Sequence, residues 1–214
     1  SSLKELGGPP SEILPDGTPR YTVPVIHDIS PNTGPEGTFV SDSLKIIDYL
    51  NTAYPESVPL VDTDGVLAKL VSSGVLAATS QLWRLTAPRL AQSIKGEESK
   101  QVYGGNVEKK LGRSIDALLT DREVHDEAWK AGLEMYRAVK KYFDECRGAR
   151  GLGEDGGPWL LGKEPQLVDV FTGGSLMWFK NIMGEDSEEW QEVTELDGGF
   201  WGKYAKTIEA YAAI

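Results

Sequence analysis

Two short stretches near the start hold residue types that could grip a small peptide. Val23-Pro24 lies in the run Tyr-Thr-Val-Pro-Val-Ile-His, residues 21–27. A proline inside a strand removes a ladder donor, so it belongs at an edge or marks a special backbone. With a cis Val23–Pro24 bond the strand would offer its N–H and C=O sideways, and an extended peptide could pair with Val23 as an added strand. With a trans bond it is an ordinary edge strand, which residue types alone favour. Ser41-Asp42-Ser43 stands at a strand-to-helix turn, where unpaired N–H groups and the positive end of the helix dipole gather. The Ser43 hydroxyl and N–H could hold a carboxylate there. Asp42 could hold an ammonium beside it, and an amino-acid headgroup needs both. Taken alone, the same three residues are a plain helix cap.

Other chemically capable residues read as structural. Cys146 has no histidine near it in sequence and reads as a packing or surface thiol. His125, in Arg-Glu-Val-His-Asp-Glu, reads as a surface residue at a helix start, and His27 as the end of a strand. Asp62-Thr63-Asp64-Gly65 faintly resembles a calcium loop but lacks the spacing and the terminal Glu. Gly173-Gly174 is costly within a helix and predicts close approach to the long helix over 65–90.

Proline distribution sets the elements around these residues. Nine of the 12 prolines fall within residues 1–60, and only Pro88, Pro158 and Pro165 lie beyond. The first part therefore reads as short strands and turns, the remainder as long helices. Residues 3–6 predict the end of a helix stopped by Gly7-Gly8-Pro9-Pro10. Residues 21–27 predict a strand, 28–37 a turn-rich loop and 38–40 a second strand. A helix follows to residue 53, with Leu44, Ile46, Ile47 and Leu50 on its buried side. Helices are predicted over 65–90, with Val66, Leu67, Leu70, Val71, Val75, Leu82 and Leu85 inward and Pro88 kinking or ending it, and over 98–119 and 125–146. A mobile loop over 148–157, a docked Trp159-Leu160-Leu161-Gly162, a buried helix over 167–182 and a last helix from 202 complete the pattern. The expected domains are 1–57 and 58–214.

Composition excludes whole classes of partner. The 214 residues carry 22 Lys plus Arg against 33 Asp plus Glu, a formal net charge of −11. No basic tail or stripe is present, so nucleic-acid binding would oppose the protein's own field. No apolar run approaches the roughly 18–20 residues of a membrane span, and no charged-then-apolar leader opens the sequence. A single cysteine forbids an internal disulfide and suits a reducing, cytoplasmic setting. Two distant histidines give no metal-ligand spacing, and no metal is expected.

Taken together, the edge strand with Val23-Pro24, a hairpin and an acid-Ser helix start resemble the glutathione site of the thioredoxin-like domain in glutathione transferases. Gly157-Pro158-Trp159-Leu160-Leu161-Gly162 and Pro165-Gln166-Leu167-Val168-Asp169-Val170 are similar to that family's loop and N-capping segment. There Asp169 matches the acid, while Gln166 replaces the usual Ser or Thr and implies a weaker cap. Leu3-Lys4-Glu5-Leu6-Gly7-Gly8-Pro9-Pro10, Pro15-Asp16-Gly17, Ser41-Asp42-Ser43 and Gly184-Glu185-Asp186-Ser187-Glu188-Glu189-Trp190 resemble the fungal Fua-class enzymes, relatives of bacterial β-etherases.

The resemblance implies an α+β fold: a thioredoxin-like N-terminal domain, partial here, followed by an all-α helical-bundle domain. It implies glutathione as co-substrate, held by Val23, Pro24, Asp42 and Ser43. It implies a hydrophobic or aromatic electrophile, such as a β-aryl ether or wood extractive, against Trp83, Leu85, Thr86 and Tyr103. It also implies a fungal, detoxifying, cytoplasmic homodimer. The family opens with a βαβ unit that carries the thiol-activating residue, and these 214 residues do not contain it. Either they are part of a longer chain, which is the expectation, or the molecule is truncated; the catalytic residue is accordingly unknown. The alternative function is a non-catalytic, ligand-holding protein on the same fold. A third reading, a helical scaffold with a remnant sheet, predicts no glutathione affinity.

Overall fold

Proline keeps the opening residues out of long helices, and among the described residues two small antiparallel hairpins, a 3-10 turn at Pro31–Thr33 and one α-helix form there. The computed structural model describes residues 3–57, 62–72, 79–153 and 156–213. The chain divides into two units, Ser1–Val61 and Asp62–Ile214. The expected division after residue 57 abuts residues 58–61, which lie outside the described residues.

In the first unit, Gly7 donates to the Lys4 carbonyl at 3.2 Å and Gly8 to the Leu3 carbonyl at 3.0 Å. With Gly7 at φ +80°, this is the bonding of a helix C-terminus, and glycine takes the left-handed position without a Cβ clash. Strands β1 (Glu12–Ile13) and β2 (Pro19–Arg20) pair antiparallel. This hairpin is absent from the sequence expectation; its turn is fixed by Asp16 Oδ1, which accepts the Thr18 N–H at 2.9 Å. Strands β3 (Val25–Asp28) and β4 (Thr38–Ser41) form the second hairpin, with Val25 opposite Ser41 and Asp28 opposite Thr38. The strand expected from residue 21 starts only after Pro24, which has no N–H to give the ladder. His27 stacks on Phe39 at 3.8 Å, and its Nε2 lies 2.9 Å from the Glu36 carbonyl.

Helix α1 (Ser43–Ala53) buries Ile46, whereas Leu44, expected inward, is exposed. Asp28 ties the hairpin to this helix. Its Oδ2 accepts the Tyr49 and Tyr54 hydroxyls, each at 2.6 Å, and its Oδ1 accepts the Ser30 N–H at 2.8 Å. The two phenols, then the Ser30 N–H, hold its carboxyl well below the usual carboxylate range. A depressed folded pKa gives stability that is present above the unfolded value, about 4, and is lost as the pH falls. The near-UV tyrosine signal is therefore expected to decline below about pH 4, and Asp28→Asn to flatten that decline. An unchanged acid titration in the variant would remove Asp28 from the account.

The second unit is helical. Asp62 accepts the Leu67 and Ala68 N–H groups at 2.6 and 2.8 Å and so starts α2 (Val66–Ser72). Helix α3 spans Thr79–Ser93; residues 73–78, with the expected inward Val75, lie outside the described residues. Pro88 does not end α3, because it is fully buried and its packing offsets the lost ladder bond. Val71 is exposed, contrary to expectation. The helix expected over 98–119 is two helices, α4 (Glu97–Leu111) and α5 (Ile115–Thr120). Gly112, at φ +69°, ends the first, and Ser114 caps the second.

Helix α6 (Arg122–Ala149) outruns the expected 125–146 at both ends. Residues 154–155 of the expected loop lie outside the described residues. Helix α7 spans Leu167–Met183, and α8 spans Glu188–Ala212 with a non-helical break at Leu196–Gly199. The helix expected from 202 is the half of α8 after that break. Trp129 and Tyr136 of α6 pack on Phe179 of α7, and Tyr136 also packs on Trp201 of α8; Val139, Phe143, Leu176 and Tyr204 are buried as well. The partner of Gly173 is α8, not the earlier long helix. A Cβ at Gly173 would lie 2.7 Å from Ile208 Cδ1.

Candidate functional site

The register of the second hairpin positions the candidate residues. Val25 faces Ser41 at the end of the ladder. Val23-Pro24 immediately precedes Val25, and Asp42-Ser43 immediately follows Ser41, so the two stretches lie at the same end. The Val23–Pro24 bond is cis. Val23 is 77% exposed, and its N–H and C=O take no backbone partner among the described residues. Ser41 anchors the turn from beneath: it is buried, and its hydroxyl donates to the Pro9 carbonyl at 2.7 Å.

Asp42 is the N-cap of α1. Its Oδ1 accepts the Leu44 N–H at 3.0 Å and the Lys45 N–H at 3.3 Å. Its Oδ2 and the Ser43 hydroxyl have no hydrogen-bond partner among the described residues. One carboxylate oxygen thus holds the helix start while the other stays open. Asp42 also carries φ +86°, ψ 131°, a region that costs a non-glycine residue of order 1–3 kcal/mol. Such strain gathers where a site needs a particular backbone. Nothing in the residue types announced it.

The capping segment of α7 is half built. Asp169 Oδ2 accepts the Gln166 N–H at 2.9 Å, but Gln166 Oε1 is enclosed and unpaired. Gln166→Thr would supply a short acceptor at that cap, worth about 0.5–1 kcal/mol. The Tm is expected to rise by roughly 1–4 °C, and an unchanged or lower Tm would contradict this account of the cap.

The four residues assigned to an electrophile wall separate. Leu85 and Thr86 are interior, and the Thr86 hydroxyl is used on the Leu82 carbonyl at 2.7 Å. Trp83 and Tyr103 are brought together, half-buried, against Ala87, Val107 and Leu118, with Lys110 Nζ 4.4 Å from the Trp83 ring centre. Desolvation pushes the Tyr103 phenol up. His125 is not the surface residue expected. It is partly buried, with Nε2 2.8 Å from Glu189 and Nδ1 3.0 Å from Asp126, and joins the starts of α6 and α8. Cys146 is a free, half-buried thiol. Among the described residues no group of three or more His, Cys, Asp or Glu is placed to hold a metal, and no helix is long and apolar enough to cross a membrane.

The helical unit identifies the class. Residues 68–211 match the family description "Glutathione S-transferase, C-terminal domain", and the chain belongs to the glutathione S-transferase family. Its fold is a partial thioredoxin-like part followed by the family's helical domain. The chain is 26% identical over 200 residues to the glutathione S-transferase-like protein ustS of Aspergillus flavus, covering 92% of this chain and 68% of that protein. It superposes on the glutathione S-transferase CsGST83044 of Ceriporiopsis subvermispora, solved in complex with glutathione. The TM-score is 0.77 and the identity 27%, over 97% of this chain and 79% of the other. Against glutathione transferase GSTFuA2 of Phanerochaete chrysosporium the values are 0.76 and 28%, over 98% and 78%.

Proposed function

We propose that this chain is part of a glutathione transferase resembling the Fua class. Glutathione lies extended along Val23, with its γ-glutamyl ammonium on the open oxygen of Asp42 and its carboxylate on the Ser43 hydroxyl and N–H. The observation that carries this reading is the shared position of Val23-Pro24 and Asp42-Ser43 at one end of the β3–β4 ladder. The strained Asp42 and the unpaired Ser43 support it, as does the relative solved with glutathione.

In the reaction the glutathione thiol gives its proton to solvent water. The thiolate sulfur then forms a bond to an electrophilic carbon of a hydrophobic or aromatic substrate, and the leaving group departs with its bonding pair. The chain's contribution is to hold the tripeptide at both ends so that the encounter becomes intramolecular in effect. Trp83 and Tyr103 remain the candidates for contact with the electrophile. In this reading the enzyme is a cytoplasmic homodimer.

Turnover of a chloronitrobenzene with glutathione tests the reading. The whole protein, with the unit that carries the thiol-activating residue, is expected to release chloride only in the presence of glutathione. Glutathione binding without turnover would instead favour a ligand-holding role, and neither binding nor turnover would refute the placement.

A further inference from the structure

One short segment braces both grips of the candidate site. Pro9, Pro10 and Ser11 lie between Gly8 and strand β1. At one end the Pro9 carbonyl accepts the Ser41 hydroxyl at 2.7 Å. At the other, the Ser11 hydroxyl accepts the Thr22 hydroxyl at 2.7 Å and donates to the Arg20 carbonyl at 3.0 Å. Ser41 is the residue before Asp42, and Thr22 is the residue before Val23. The segment is therefore tied one residue short of each grip.

Its composition suits a spacer. Proline fixes φ, so two in succession leave the backbone little freedom. Ser11 is held a second time through its N–H, which donates to the Arg20 carbonyl at 2.9 Å. Gly8, just before the segment, passes close to the ladder: a Cβ there would lie 3.7 Å from Val25 Cγ1. Asp42 needs such a brace. Its φ of +86° is strained, and strain of this kind persists only where the surroundings over-determine it. The cap bonds to Leu44 and Lys45 fix Asp42 from the helix side. From the strand side it is fixed by the Val25–Ser41 pairing and by the buried Ser41 hydroxyl on Pro9.

We propose that residues 9–11 set the spacing between the cysteinyl grip at Val23 and the γ-glutamyl grip at Asp42-Ser43, with Ser41 and Thr22 as positioning residues that touch no part of glutathione. The proposal rests on the glutathione reading and adds a division of labour to it. Ser41 acts on the γ-glutamyl head alone. Thr22 acts on the cysteinyl backbone, which glutathione shares with cysteinylglycine. Without the Ser41 hydroxyl, Asp42 relaxes toward an ordinary φ and the turn holds its binding conformation only part of the time. Affinity for the head falls by that fraction.

Calorimetric titration of the whole protein with glutathione and with cysteinylglycine reads the two grips separately. Ser41→Ala is expected to weaken glutathione about tenfold, as for a turn populated about one-tenth of the time, and to leave the dipeptide unchanged. Thr22→Val keeps the shape and loses the hydroxyl. It is expected to weaken both ligands by the same factor, about threefold, the low end for one hydrogen bond. Added to Asp42→Asn with Ser43→Ala, Ser41→Ala is expected to weaken glutathione no further. A loss of packing alone would act on both ligands in either variant. Ser41→Ala that lowers both ligands equally, or neither, overturns the proposal, as does a Thr22→Val effect that is nil or confined to glutathione. A wild type with no preference for glutathione over the dipeptide refutes the glutathione reading itself, and the spacer falls with it.

Discussion

Asp169→Ala is expected to lower the stability of the helical unit by about 3–5 kcal/mol, the range for breaking a buried charged network. Asp169 is 2% exposed. Its Oδ1 accepts the Leu160 N–H at 2.9 Å and the Tyr204 hydroxyl at 3.1 Å, and its Oδ2 accepts the Gln166 N–H at 2.9 Å. These bonds join the docked segment before α7, the first turn of α7 and the body of α8. Alanine strands three donors in the interior, each costing about 1–3 kcal/mol. Burial pushes the Asp169 carboxyl above its usual range, while the three donors pull it back. The group thus sits in the core only because the donors are there. Asp169→Asn keeps one acceptor oxygen for Leu160 and Tyr204 but turns an NH2 toward Gln166, so its cost is expected to be smaller, about 1–3 kcal/mol. Guanidinium unfolding checks the order. Equal stability of the wild type and the alanine variant would deny Asp169 its role.

Replacing Asp42 by Asn together with Ser43→Ala is expected to weaken glutathione by roughly 100-fold. Charged hydrogen bonds contribute about 1.5–3 kcal/mol each, and two at the lower end, about 3 kcal/mol together, correspond to roughly that ratio. Asparagine isolates the effect. It caps a helix as well as aspartate and tolerates a positive φ, so α1 keeps its start while the ammonium loses its charge partner. Asp42→Ala would also cost about 1 kcal/mol of cap, which confuses affinity with folding. Unchanged thermal stability beside a large loss of affinity is the expected pattern. Equal losses in both would make Asp42 a cap and nothing more.

Where sequence signals were local, they led to structure. Val23-Pro24, Asp42 as a cap and the docked Trp159-Leu160-Leu161-Gly162 could be read because proline, capping and apolar runs act over a few residues. Gly112 was passed over inside an apolar pattern, and one expected helix became two. The start of α8 was missed although Ser187 caps it, accepting the Trp190 N–H at 3.1 Å. The Asp197-Gly198-Gly199 break drew attention to the later half instead. Contacts that join distant stretches left no trace in residue types. Neither the Asp28–Tyr49–Tyr54 cluster nor the His125–Glu189 pair, 64 positions apart, has a spacing to recognise. The strained φ of Asp42 and the Ser41–Pro9 bond are likewise properties of the assembled fold. Leu85 and Thr86, which the family resemblance sets against the electrophile, are interior, because resemblance places a helix at the site without telling its pocket wall from the core behind it.

The central claim is that the γ-glutamyl head of glutathione rests on Asp42 and Ser43. Calorimetric titration with glutathione and with cysteinylglycine, which lacks that head, tests it most directly. The wild type is expected to bind glutathione far more tightly than the dipeptide, and the Asp42→Asn, Ser43→Ala variant to bind both with the same weak affinity. A variant that still prefers glutathione as strongly as the wild type does would contradict the claim.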